Sequence, residues 1–177
     1  MPWMDQVGNL LKQYTSGGAA AATAPAQDVN GHFDQVASAA PASTIAAGLA
    51  AAFHSDQTPA FGNMISGLFA NSNGEQKAGV LNQLLANVNP AMLSSIAGSG
   101  ALAGLLKGGA TQVTPEQAQQ ISPEVVQEIA AKAKEVNPSI VDSVSNFYAQ
   151  HTTLCKTLGG AALSICLAKV AQHTQSA

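Results

Sequence analysis

Arginine is missing from this chain: its seven basic residues are all lysine, at 12, 77, 107, 132, 134, 156 and 169. Arg is the side chain that grips phosphate and carboxylate with paired N–H bonds. With none of it, and with the lysines scattered, the sequence argues against a nucleic-acid groove. Charge of either sign is scarce: 10% of residues are charged, against about 25% in ordinary soluble proteins. Gln, Asn, Ser, Thr and Ala must therefore make much of the surface, which is poorly protected against self-association. Aromatics are only 5%, so core volume must come from Leu, Ile, Val and Met, with Ala and Gly letting helices approach closely.

Cysteine is limited to Cys155 and Cys166. Read on one helix, they lie about 16 Å apart, too far to bond to each other, and serve as small apolar core residues. No long apolar run exists. The uncharged stretch 78–106 contains Asn82, Gln83, Asn87, Asn89 and Pro90, so it fails as a transmembrane segment of about 20 apolar residues. Trp-Met-Asp-Gln near the start lacks the basic region and apolar run of a secretory signal. The expectation is a reducing, cytoplasmic setting.

What is present is a recurring cap residue followed by proline: Thr58-Pro59, Asn89-Pro90, Thr114-Pro115, Ser122-Pro123 and Asn137-Pro138. Each pairs a side-chain oxygen for free backbone N–H groups with a proline that needs no N–H partner. Thr114-Pro115-Glu116-Gln117 also fits a capping box. Between these starts the apolar spacing is helical. Val29, Phe33, Val36 and Ala40 form one stripe, and Ile45, Leu49 and Phe53 the next. Phe61, Met64, Ile65 and Leu68 form a third, and Leu81, Leu84, Leu85 and Val88 a fourth.

A softer helix is expected from Pro90 to Leu106, ended by Gly108-Gly109. A last helix, apolar nearly all round, is expected from about Thr153 to His173, with Gly159-Gly160 inside it. The reading is all-α: a multi-helical bundle of about eight to nine helices with no strand. Residues 1–15 form an amphipathic helix, 16–27 a flexible Gly/Ala/Pro linker, and 28–173 a single helical domain. Residues 28–69 also overlay 121–163 in their apolar spacing, which raises an internal pseudo-duplication.

Catalytic signatures are sparse. Gly98-Ser99-Gly100 with Gly104 lies in a helical pattern, not after the strand that a dinucleotide loop needs. No G-x-S-x-G elbow, P-loop or HExxH pair occurs. His32 lies near Asp28 and Asp34, and His54 near Asp56, but neither has the i,i+4 histidine partner that sets two metal ligands on one helix face. His54 suits a helix C-terminus instead. Tyr148 reads as core with its hydroxyl reaching water. The sequence gives no catalytic residue, cofactor or metal ligand, and an enzyme is not the expectation.

The N-terminal stretch carries the strongest interaction signal. Trp3, Val7, Leu10, Leu11 and Tyr14 recur at i, i+4, i+7, i+8 and i+11, one continuous apolar face. Lys12 is the single basic side chain there, too little for an anionic membrane surface. A helix this short is marginal alone in water and needs a surface: its own domain, a neighbouring copy in a swapped arrangement, or another protein.

The stretches MPWMDQVGNLL and VTPEQAQQISPEVVQEIAAKAKEVNPSIVDSVSNFYAQH, followed by KTLGGAAL, resemble a group of uncharacterised proteobacterial all-helical proteins. The Ser-Pro-Glu and Asn-Pro helix starts also resemble the YidB-like family. The resemblance implies a bacterial, all-helical protein and carries over no functional residue. The expected function is a non-catalytic helical interaction protein, self-associating as a homo-oligomer or binding another protein, with Trp3, Val7, Leu10, Leu11 and Tyr14 as its docking helix. The alternative is a binder of a fatty acid or other lipid in an apolar pocket between helices, lined by Phe53, Phe61, Met64, Leu68 and Phe69.

Overall fold

Helix boundaries in this protein follow from where the chain can satisfy its free backbone groups. The structure, a computed structural model, describes residues 5, 7–12, 26–56, 58–88, 91, 112–158 and 160–176. Trp3, Tyr14, residues 16–25 of the expected 16–27 linker, Asn89-Pro90 and the helix expected beyond Ala91 lie outside the described residues. After a helical segment over 7–12 come α1 (Ala26–Ala39), α2 (Ala42–His54), α3 (Phe61–Ala70), α4 (Gly74–Ala86), α5 (Pro115–Gln119), α6 (Pro123–Val136), α7 (Ile140–Ala149) and α8 (Thr152–Cys155). A 3-10 turn over Lys156–Leu158 then leads to α9 (Gly160–Ser176). The chain is an all-α multi-helical bundle, with no strand among the described residues.

The cap–proline signals resolve individually. Thr114 forms the full capping box: its hydroxyl accepts from Gln117 N at 3.3 Å, and its own N–H donates to Gln117 Oε1 at 3.0 Å. Ser122 occupies the cap position of α6, with Pro123 in the first turn, but makes no side-chain cap bond. Thr58 does a different job. α3 starts from Ala60, and the Thr58 hydroxyl donates to the carbonyls of Ala52 at 2.7 Å and Ser55 at 3.0 Å. It therefore serves the C-terminal end of α2, whose last carbonyls lack helical partners. Asn137 ends α6; its Oδ1 accepts from Ser139 N–H at 3.3 Å, and its Nδ2 donates to Asn87 Oδ1 at 2.8 Å. A capping box at Asn73 and Gln76, with no proline to advertise it, opens α4.

The described residues group into two compact units, one formed by 1–58 with 145–177 and the other by 59–144. In the first, α9 packs against α2 and α1. Val29, Phe33, Val36, Ile45, Leu49 and Phe53 on α1 and α2 are buried there, as are Leu163, Cys166, Leu167 and Val170 on α9. The contact between α2 and α9 is tight because Gly48 presents no side chain to Cys166. The chain breaks before α9 rather than running as one helix from Thr153. Two adjacent glycines cost about 1 kcal/mol each inside a helix, and here α9 begins at the second of them, after the 3-10 turn. Cys155 and Cys166 thus sit on different helices.

In the second unit α6 packs on α3 and α4, and α4 on α5. Gly62 again allows the close approach: a Cβ there would lie 2.6 Å from the Gln127 carbonyl oxygen. The entry to α5 is pinned by Asn82 of α4. Its side chain accepts from Val113 N at 2.7 Å and donates to Val113 O at 3.3 Å, as a neighbouring strand would.

Candidate functional site

Residues 7–12 place an apolar edge on the first unit. Val7 and Leu11, one turn apart, are 3% and 2% exposed, while Asp5, Asn9 and Lys12 face solvent and Gly8 and Leu10 are half-buried. This i,i+4 division is the expected amphipathic face. Val7 shares an open groove of about 400 Å³ with Asp34, Gln35, Ser38 and Ala39 of α1. On that helix Val29, Phe33 and Val36 are fully buried, so the groove runs along its outer, polar side. Asp34 is held there by Lys156, Nζ to Oδ2 2.9 Å, and Ser38 Oγ donates to the Asp34 carbonyl at 2.7 Å. The ion pair is half in solvent, a setting in which such pairs contribute about 1 kcal/mol or less.

A second polar feature of the first unit is deeply buried. Tyr148 is fully enclosed, and its hydroxyl has no hydrogen-bond partner among the described residues. It does not reach water as its position near a helix end suggested, because the α7 face that carries it turns into the core. Cys155 Sγ donates to the Tyr148 carbonyl at 3.3 Å. Burial pushes the Cys155 thiol up to about 12, and it pushes Cys166 and the Tyr148 hydroxyl up as well, with Cys155 adding to both. A thiol raised this way is protonated at neutral pH, the opposite of an activated nucleophile. Phe147 lies 4.8 Å from the His151 ring and 5.3 Å from Tyr148.

The residues expected to line an apolar pocket are all buried, but they divide between units. Phe53 belongs to the first; Phe61, Met64, Leu68 and Phe69 belong to the second. There Lys77 lies over the Phe69 ring at 5.2 Å and Lys134 over the Phe61 ring at 5.8 Å, so lysine ammonium groups cover faces of the aromatic core. His54 ends α2, the helix C-terminal position expected of it. Among the described residues no three His, Cys, Asp or Glu side chains gather to hold a metal ion. Among them also no helix is long and apolar enough to cross a membrane.

Of the expected docking face Val7 and Leu11 are buried and Leu10 is half-buried, but the groove beside Val7 was not legible in the sequence. Asp34, Gln35 and Ser38 are ordinary polar residues in sequence, and only the folded position of α1 collects them beside Val7. Trp3 and Tyr14, the ends of the expected face, lie outside the described residues. No family model, curated protein or solved structure matches this chain.

Proposed function

We propose that this is a non-catalytic helical interaction protein that self-associates, with its N-terminal helix as the docking element. The observation that carries the reading is the burial of Val7 and Leu11 on the first unit of the same chain. A seat that fits the helix within one chain fits the identical helix of a second copy equally well. Exchange of an identical element is a low-cost route to a dimer. The small charged fraction of the chain supports the same reading, since little like-charge repulsion opposes association.

Light scattering of the full-length chain across a concentration series tests this. The expected result is a dimer or larger species that dissociates on dilution, and a monomer at every concentration for Leu11→Asp, which sets a charge on the buried face. A full-length chain that stays monomeric throughout overturns the reading. So does a Leu11→Asp variant that associates as strongly as the parent.

A further inference from the structure

We infer that residues 7–12 form a latch, a helical segment that lifts off the first unit by local opening while α1, α2 and α9 stay folded. The inference deepens the proposed docking role, because a helix can be handed to a second copy only if it leaves its own seat.

Two kinds of helix contact in the same unit carry the argument. Where α2 meets α9 the backbones approach so closely that a Cβ at Gly48 would lie 2.7 Å from both the carbonyl oxygen and the Sγ of Cys166. That contact leaves no room and cannot open without exposing Leu49, Phe53, Leu163 and Leu167, all at or near zero exposure. The N-terminal segment is held differently. Among its described residues two side chains, Val7 and Leu11, are buried. A Cβ added at Gly8 would meet nothing within 4 Å. The seat beside Val7 is an open groove lined by a carboxylate, an amide and a hydroxyl side chain, so water already reaches the edge of the contact.

The balance of terms favours opening. Two buried aliphatic side chains and the half-buried Leu10 supply the driving force, and the ordering of about six backbone residues opposes it by at least as much. A helix of that length adds little stability of its own. Opening also leaves no buried ion stranded, because Asp34 keeps Lys156 as its partner across α1 and the 3-10 turn. Segments with few buried apolar contacts open far below the cost of global unfolding.

Hydrogen exchange of the full chain, read by mass spectrometry, tests the latch. Amides of residues 7–12 are expected to exchange at least about 100-fold faster than those of α2 and α9, a gap typical of local against global opening. Leu11→Ala is expected to speed exchange in 7–12 by about tenfold or more, as loss of a buried aliphatic group weakens the seat, while α2 and α9 change less than about twofold. Val7→Ala serves as the second variant, with the same expectation. Equal protection of 7–12 and α9 overturns the inference, as does acceleration of all three helices together. The light-scattering series separates the two readings: a monomeric chain with fast exchange at 7–12 keeps the latch and removes the self-association.

Discussion

Gly48 of α2 lies against Cys166 of α9 so closely that a methyl group at residue 48 would come within 2.7 Å of the Cys166 carbonyl oxygen and sulfur, and 3.0 Å of Val170 Cγ2. Gly48→Ala therefore sets two effects against each other. Alanine gains about 1 kcal/mol of helix propensity. Against that, α2 and α9 must separate, because a backbone carbonyl cannot rotate out of the way, and overpacking of this kind costs about 1–3 kcal/mol or more. The expected outcome is a net loss of stability, measured as a lower urea midpoint. An unchanged or raised midpoint would mean that the helices yield freely.

Tyr148 carries a buried hydroxyl without a hydrogen-bond partner among the described residues. An unmade hydrogen bond of this kind costs about 1–3 kcal/mol. Tyr148→Phe keeps the ring and removes the cost, so it is expected to raise the urea midpoint by an amount worth about 1 kcal/mol. A loss of similar size would show that the hydroxyl is bonded in solution.

Three buried groups are expected to make the fold less stable at alkaline pH. Cys155, Cys166 and Tyr148 all hold their protons more tightly in the folded chain than when unfolded. The folded state binds more protons, so their contribution is fully present below the ordinary thiol value of 9.0 and declines as pH rises. For Cys155 the decline runs from about 9 to about 12, at roughly 1.4 kcal/mol per pH unit. Denaturation at pH 7.5, 9.5 and 10.5 should show a progressive loss, shallower in Cys155→Ala. A flat profile up to pH 10.5 would contradict the burial of both thiols.

Asn82 holds the backbone of Val113 by two hydrogen bonds. Asn82→Ala leaves a partly buried N–H and C=O unpaired, at a cost of about 1–3 kcal/mol. The loss should appear in the urea midpoint, together with faster amide exchange at Val113.

Much of this architecture is written locally. The apolar stripes from Val29 to Val88 are buried nearly as their spacing dictates, with Ala40 and Leu85 half-buried at their margins. The Thr114 capping box forms as its four residues require. Such features depend on residues within one or two turns of each other, and a helix satisfies its backbone within itself, so sequence spacing alone is enough. Thr58 shows the boundary of that logic: its hydroxyl had two helix ends within reach, and the path of the chain between them decided for α2.

What the tertiary structure decided is everything that joins distant parts of the chain. It put Cys155 and Cys166 on separate helices and buried the Tyr148 hydroxyl. It set Gly48 against a residue more than a hundred positions away. The amphipathic face of the N-terminal helix was fixed by sequence, because a 3.6-residue period needs no partner to exist. The groove that Val7 shares with Asp34, Gln35 and Ser38 was not, because a surface is a property of neighbours in space and an apolar stripe specifies only that it must be covered.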